Sequence, residues 1–258
     1  MTDGRTALLR RLSAGACAVT VLLGLAAAGP ASAGPESLRE LFGARPRDGC
    51  ATAAPPAARY VSEDGDVFIL DRSQPRPLLK FDNSAEVWAL RPQPGPRGDT
   101  IYKNDLGEPV LRTTRMCGMT IFTDDHPAGE AAAVAGASNP LRLMVMGPQA
   151  LAERLLQASA RASRAARRLI PFEAEASPVS SALIADAAMV TSEAVVRMTK
   201  RSDARRLLDR ILKVHLAAGR KAGAQLDQGV LEVTVAPPDG LAGRPSSERI
   251  IQVAETFR

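Results

Sequence analysis

The chain has 258 residues, of which 45% are hydrophobic, so it is long enough to form one or two domains around a buried core. Its formal net charge is +5 at pH 7 and aromatic residues make up only 3%. This composition excludes the fibrous and disordered classes and indicates a soluble globular protein. No function follows from the abundance of Ala, Arg, Gly and Pro.

Residues 1–33 have the pattern of a secretory signal peptide. Three arginines precede an uncharged apolar run, and Ala31-Ser32-Ala33 offers the small residues after which signal peptidase cleaves. We expect a mature chain that begins at Gly34 and is located in the bacterial periplasm or secreted. Removal of the three arginines and Asp3 lowers its net charge to +3. Because the apolar run approaches the length of a membrane span, an uncleaved anchor is the alternative.

Export leaves two cysteines, Cys50 and Cys117, with one intramolecular pairing in an oxidising compartment. The predicted disulfide would tie a Pro/Ala-rich leader, residues 34–58, to the edge of the following β region. Closing a loop of this length would stabilise the fold by roughly 4 kcal/mol. Two unpaired cysteines, with Cys117 as a small core residue, are the alternative.

Residues 59–123 predict an antiparallel β-meander. Short β-type runs alternate with Gly, Pro, Asn or Asp at close intervals, which indicates a small barrel or a strongly twisted sheet. Asp64-Gly65 favours a two-residue type I′ turn, both of whose central positions need positive φ. The predicted strands cover residues 67–70, 78–81, 86–90, 100–102, 110–113 and 119–122, and the predicted core aromatics are Phe68, Phe81, Trp88, Tyr102 and Phe122.

The β region also resembles a known family. The residues that carry the resemblance are Tyr60-Val61-Ser62-Glu63-Asp64-Gly65-Asp66-Val67-Phe68-Ile69-Leu70-Asp71, Phe81-Asp82, Gly95-Pro96-Arg97-Gly98-Asp99, Asn104-Asp105-Leu106-Gly107 and Gly118-Met119-Thr120-Ile121-Phe122. In these residues the chain resembles an uncharacterised family of exported alphaproteobacterial proteins of about this length, a domain of unknown function. In the helical region only the general order of the elements is similar to that family. It implies a bacterial, periplasmic protein and no catalytic residues.

Residues 124–147 are polar and rich in Ala and Gly, which predicts a linker before a helical region over residues 148–258. Apolar residues recur there at helical spacing in three runs. Pro148 opens the first run, Ser177-Pro178 caps the second, and Ser202 or Asp203 starts the third, which continues to about Ala222.

The C-terminal part predicts a return to strands. Residues 230–235 alternate and are β-branched, and residues 249–254 form a second β-type run. We expect a hairpin packed on the helices, with a crossover to the first sheet as the alternative. The predicted fold is therefore α+β: an antiparallel β-meander, then a three-helix bundle, then a C-terminal β-hairpin.

Neither histidine predicts an active centre. Asp124-Asp125-His126 has suitable ligands for a metal or an acid–base site, but three adjacent loop residues rarely converge on one ion, which favours a solvated loop. His215 falls on the helical stripe of Leu208 and Leu212 and is predicted to be a partly buried packing residue. No phosphate loop, dinucleotide fingerprint, nucleophile elbow or zincin motif is present. The sequence therefore predicts no metal, no cofactor and no catalytic residue.

A basic face is predicted on the first helix, formed by Arg154, Arg161, Arg164 and Arg168. An envelope protein or an anionic lipid would fit such a face. A solvated polar face opposite an apolar stripe explains the same spacing. Nucleic acid is disfavoured by export and by the lack of interleaved aromatic residues, and Arg97-Gly98-Asp99 is interpreted as turn chemistry.

The sequence favours an exported, non-enzymatic binding or structural module of the cell envelope. The alternative is an exported hydrolase with a carboxylate-based site, for which Asp64, Asp66 and Asp71 of the first hairpin are candidates. A cleft that gathers acidic groups beside an imidazole or an ion would contradict the non-enzymatic interpretation.

Overall fold

The computed structural model of the protein describes residues 54–256. The predicted signal peptide and Cys50 lie outside the described residues, so the signal and the Cys50–Cys117 disulfide stay predictions. Most of the predicted leader, residues 34–58, also lies outside. Its last residues, Ala57 and Ala58, already belong to the first strand.

Within residues 54–256, nine antiparallel strands form the first sheet. They are β1 (Ala57–Ser62), β2 (Val67–Asp71), β3 (Leu78–Phe81), β4 (Val87–Ala89), β5 (Arg91–Pro94), β6 (Thr100–Lys103), β7 (Pro109–Thr113), β8 (Met119–Ile121) and β9 (Glu130–Ala137). Their order is β4-β3-β2-β1-β9-β8-β7-β6-β5. The two edge strands are separated in the chain only by Leu90, and β4 pairs with β3 while β5 pairs with β6. The sheet is therefore a nearly closed barrel, and the predicted meander is confirmed.

Side chains fill the inside of the barrel. Phe68 is fully buried, and its ring stacks on Tyr60 with the centroids 5.4 Å apart. A row of rings continues outward from Phe68 to Phe81 and from Phe81 to Trp88, at centroid distances of 5.8 and 6.0 Å. Of the five aromatic residues predicted for the core, Phe68 and Tyr102 are buried, whereas Phe81, Trp88 and Phe122 are only half-buried.

The turn between β1 and β2 is not the predicted two-residue type. The Ser62 N–H donates to the Asp66 carbonyl (2.9 Å) and the Gly65 N–H donates to the Ser62 carbonyl (3.1 Å), so three residues form the loop. Asp64 does not take a positive φ, and only Gly65 does, at 92°. This is a type I turn followed by one left-handed residue. The β6–β7 and β7–β8 turns repeat it, with Gly107 (φ 91°) and Cys117 (φ 64°) at the left-handed position.

Cys117 is exposed in the β7–β8 turn. The alternative interpretation of this cysteine as a small core residue is therefore wrong. The turn keeps the thiol position at the surface of the barrel, at the end opposite the β1–β2 turn.

The second part of the described chain combines four α-helices with a four-stranded mixed sheet. The strands have the order β10-β11-β13-β12, in which β10, β11 and β13 are parallel and β12 is antiparallel to β13. The elements are α1 (Pro148–Ala166), β10 (Phe172–Glu175), α2 (Ser181–Met198), α3 (Ala204–Asp209), β11 (Lys213–Ala218), β12 (Gly223–Asp227), β13 (Val230–Val235) and α4 (Ser247–Thr256). An α+β fold is confirmed at this level.

No helix within residues 54–256 is both long enough and apolar enough to cross a membrane.

Three finer predictions for the C-terminal half are wrong. The third helical run ends at Asp209, and residues 213–218 form β11, so there is no three-helix bundle in the described chain. Residues 249–254 lie in α4, where Ile250 and Ala254 are buried one helical turn apart. Strand β13 forms as predicted but pairs with β11 and β12, so the C-terminal hairpin of residues 230–235 and 249–254 does not exist.

The segment predicted as a linker, residues 124–147, contains β9. This eight-residue strand pairs with β1 on one side and with β8 on the other. Its alanine-rich sequence has low intrinsic strand propensity, and the two neighbouring strands supply the pairing that local sequence does not indicate. The β region therefore extends to Ala137.

A buried polar network holds the barrel against the second part of the chain. Arg244 precedes α4, and only 2% of its side chain is exposed. Its Nη2 donates to the Val87 carbonyl (2.9 Å) and its Nε binds the Asp186 carboxylate. Its Nη1 lies 3.7 Å from the carboxylate of Glu86, which also accepts hydrogen bonds from the Ser247 N–H (2.9 Å) and hydroxyl (2.6 Å). A barrel carboxylate thus binds the first turn of α4, where free N–H groups favour negative charge.

Candidate functional site

A cavity of about 420 Å³ lies at the end of the barrel that carries the β1–β2, β3–β4, β6–β7 and β8–β9 turns. The antiparallel strand order brings these four turns to one end. The cavity wall combines aromatic rings with carboxylates, and Arg197 of α2 is the one cationic residue among those described in the wall. The aromatic residues are Phe81, Trp88 and Phe122, and the acidic residues are Asp66, Glu108, Asp124, Asp125 and Glu248.

Glu248 is half-buried, with 18% of its side chain exposed. It lies in the first turn of α4, and its Oε2 accepts a hydrogen bond from Nδ2 of Asn104 (2.9 Å). The same nitrogen donates to Oε2 of Glu108 (2.9 Å), so one amide links the two carboxylates. Burial raises the pKa of Glu248; Arg197, 3.4 Å away, opposes this effect, and the charges of Glu86 and Glu108 add to it.

The raised pKa of Glu248 makes the stability of the fold pH-dependent. Because the folded pKa lies above the unfolded one, the folded state binds more protons between the two values, and stability falls as pH rises through this window. We expect wild-type protein to lose free energy of unfolding relative to Glu248→Gln as pH rises above the ordinary glutamate value of 4.5. Urea denaturation of both proteins at several pH values measures the difference. A difference that stays constant over this range would contradict the expectation.

A second cavity, of about 580 Å³, lies beside the first and shares Trp88, Asn104 and Glu248 with it. Its wall is basic, with five Lys or Arg against three Asp or Glu among the lining residues. Arg76 donates from Nη1 to the Ala242 carbonyl (3.0 Å), but its buried Nε has no hydrogen-bond partner among residues 54–256. Burial, together with the charge of Arg91, lowers the pKa of Arg76. The five basic residues are Arg76, Arg91, Lys221, Arg244 and Arg249.

The four arginines predicted as a partner face lie on α1 and just after it, and none of them lines either cavity. Arg161 forms an ion pair with Glu193 of α2, and Arg168 donates to the carbonyls of Leu208 (2.6 Å) and Ile211. Arg154 donates to Gln157 on its own helix (3.3 Å), and Arg164 is exposed. Two of the four therefore make contacts between elements of this chain, and an anionic partner for this face stays a prediction.

The acids of the first hairpin do not converge. Asp64 and Asp66 belong to the β1–β2 turn, and of the three acids only Asp66 lines the first cavity. Asp71 lies at the other end of β2 and is fully buried. Its two oxygens accept hydrogen bonds from the N–H groups of Ser73 and Leu141, both at 2.8 Å. A hydrolytic site made of these three residues does not fit this arrangement.

The two histidines differ from the sequence interpretation. Asp124 and Asp125 are exposed in the β8–β9 connection and line the first cavity, whereas Nε2 of His126 lies 2.9 Å from Oδ2 of Asp64.

His215 does not lie on a helix. It is part of β11, and its Nε2 is 3.5 Å from Oε1 of Glu175 on the neighbouring strand. The helical interpretation of His215 was wrong because residues 213–218 form a parallel strand.

Comparisons with known proteins identify a family. Residues 37–254 match the family described as Domain of unknown function (DUF4908), and this range is well over half of the chain. Comparison with curated proteins and with solved structures found no match. The expected resemblance to a domain of unknown function is thus confirmed, while export and alphaproteobacterial origin stay predictions. The chain belongs to the DUF4908 family.

Proposed function

We propose that the protein is an exported, non-enzymatic binding module of the bacterial cell envelope, and that its first cavity binds a cationic group of the ligand. The observation that carries the proposal is the wall of that cavity, in which Trp88 and two phenylalanines stand among five carboxylates. An amine or guanidinium group on a peptide is the ligand chemistry that such a wall suits.

The charge balance of the wall supports a cation. Among residues 54–256, Arg197 is the one cationic residue that lines this wall, and it is 3.4 Å from Glu248. A carboxylate taken out of water is stabilised by a nearby positive charge, and a bound cation would supply one. An entering amine would therefore gain from Glu248 and would favour its ionised form.

The aromatic residues support the same ligand. A cation within about 6 Å of an indole face gains about 0.5–2 kcal/mol from the negative ring face. Trp88 is half-buried and is packed edge-on against Phe81, so the position of the indole ring is fixed by the core of the barrel. The aliphatic stem of a lysine or arginine side chain would contact the rings while its charged end meets the acids.

A hydrolase remains the second candidate because of one observation. Asn104 donates to Glu108 and Glu248 through the same nitrogen, so the two accepting oxygens are at most about 6 Å apart. This upper limit allows the roughly 5–5.5 Å between the two carboxyl groups of retaining glycosidases. Burial raises the pKa of Glu248, as is typical of the general acid in such a pair, and Glu108 is exposed to solvent. Hydrolysis of a chromogenic glycoside or ester by wild type but not by Glu248→Gln would establish this candidate and overturn the non-enzymatic proposal.

The binding proposal is tested by fluorescence, because Trp88 is the only tryptophan in the chain. We expect a lysine-containing tripeptide to change the emission of Trp88 saturably, and the same peptide with norleucine in place of lysine to bind at least about tenfold more weakly. Glu248→Gln, which keeps the acceptor for Asn104, should weaken lysine binding by a similar factor.

The matched control is Glu153→Gln, an exposed position on α1 outside the cavity. It should bind the lysine peptide as wild type does. Equal responses to the lysine and norleucine peptides, or unchanged binding by Glu248→Gln, would overturn a cationic ligand in this cavity.

A further inference from the structure

A cluster of three side chains at the same end of the barrel lies outside both cavities. Asp64 comes from the β1–β2 turn, His126 from the β8–β9 connection, and Glu130 is the first residue of β9. One ligand atom from each residue lies within 4.8 Å of those of the other two. Strand pairing produces this meeting, because β9 lies between β1 and β8 and the N–H of Glu63 donates to the carbonyl of Ala131 (3.0 Å).

Glu130 is the residue in this cluster that ordinary packing does not explain. It is only 7% exposed, and its Oε2 accepts a hydrogen bond from the backbone N–H of Asp64 (3.2 Å). Its Oε1 is buried and has no hydrogen-bond partner in the described part of the chain. A carboxylate oxygen removed from water without a partner is costly, so this atom lacks a donor or a cation.

The Asp64–His126 contact alone does not account for the cluster. An exposed carboxylate beside an imidazole, at 2.9 Å, is a common surface pair that contributes little to stability. Such a pair would leave Oε1 of Glu130 unsatisfied. A cation bound by all three residues would satisfy that oxygen and would use the imidazole nitrogen and the Asp64 carboxylate as further ligands.

We propose that Asp64, His126 and Glu130 bind a divalent transition-metal ion, with Zn²⁺ as the probe. One imidazole and two carboxylates are ligands that Zn²⁺ and Mn²⁺ accept, whereas Ca²⁺ and Mg²⁺ favour oxygen ligands alone. Coordination by three side chains leaves one position on the ion open for water or for a group of a bound molecule. The imidazole binds such an ion in the neutral form, through the ring nitrogen that faces Asp64. This site lies outside both cavities and does not depend on the cationic-ligand proposal, so either can fail alone. An ion bound here would count against only the non-enzymatic part of the proposed function.

The test is a titration of the tag-free chain with Zn²⁺ by calorimetry. We expect one ion per chain. Loss of a residue that only hydrogen-bonds a metal ligand lowers metal affinity roughly 10- to 100-fold, and loss of a ligand itself should lower it further. We therefore expect His126→Ala to bind Zn²⁺ at least about 100-fold more weakly than wild type. Glu130→Gln, which keeps an acceptor for the Asp64 N–H, should also weaken binding.

The chain supplies a matched control in its second histidine. His215→Ala removes a strand residue that also faces a glutamate, and it should bind Zn²⁺ as wild type does. As a second measurement, Zn²⁺ should raise the Tm of wild type and His215→Ala but not of His126→Ala, whose far-UV circular dichroism should match wild type. No Zn²⁺ binding by wild type, equal binding by His126→Ala, or loss of binding only in His215→Ala would overturn the site.

Discussion

Replacing Arg244 with methionine is expected to lower the free energy of unfolding by about 3–5 kcal/mol, because it removes one member of a buried charge network. Arg244 forms an ion pair with Asp186 and lies 3.7 Å from the carboxylate of Glu86, whose side chain is only 4% exposed. Without Arg244, the carbonyl of Val87 also loses a donor. Urea denaturation of both proteins measures the loss, and a loss below about 1 kcal/mol would show that the network does not hold the two parts of the chain together.

Two further variants identify the cause of this loss. Arg164→Met, which changes an exposed arginine on α1 in the same way, should alter stability by less than about 0.5 kcal/mol. Adding Glu86→Gln to Arg244→Met should cost less than the sum of the two single changes, since the charge left unpaired by the first change is then neutral. Strict additivity would contradict coupling between Glu86 and Arg244.

Replacing Asp71 with alanine is expected to cost about 3 kcal/mol. Asp71 is fully buried, and alanine would leave the N–H groups of Ser73 and Leu141 without their carboxylate acceptor. Hydrogen bonds to a charged acceptor contribute about 1.5–3 kcal/mol each, and partial access of water to the two loops reduces the total. The comparison variant is Asp66→Ala at the opposite end of β2, which should remain within about 0.5 kcal/mol of wild type in the same denaturation experiment. Equal effects of the two changes would contradict a structural role specific to Asp71.

The meander could be predicted from sequence because its signals are local. Turn residues such as Gly65 and Gly107 punctuate short alternating runs, and each hairpin joins neighbouring strands. The closure of the sheet could not be predicted in the same way. It depends on a segment around Leu90 that pairs with β3 on one side and β6 on the other, and β5 includes two prolines that lower its apparent strand propensity.

The errors in the C-terminal half arise where tertiary pairing overrides local pattern. Strand β9 is mostly alanine, and β11 has apolar residues whose spacing also suits the end of a helix. Residues 249–254 include the pair Ile250 and Ile251, which resembles a strand when seen alone. In the folded chain, parallel pairing with β10 and β13 determines β11, and packing on α2 and β12 determines α4.

The candidate site was not predictable because its residues come from distant turns. Asn104 and Glu248 are 144 residues apart, and neither belongs to a catalytic or binding motif. The turn sequence Asn104-Asp105-Leu106-Gly107 was the one local signal, and it indicates a turn without indicating what the turn contacts. The contact becomes visible only when the barrel and α4 are both in place, since Asp105 and Asn104 bind the Ser246 N–H (3.0 Å) and Glu248.

The central claim is that the first cavity binds a cationic group and does not transform it. NMR titration of ¹⁵N-labelled protein with the lysine tripeptide tests this most directly, because the single tryptophan gives one indole N–H signal and Asn104 reports on Glu248. We expect saturable shifts of the Trp88 indole and the Asn104 side-chain amide, with the peptide recovered unchanged. Shifts confined to α1 around Arg164, or cleavage of the peptide, would contradict the account.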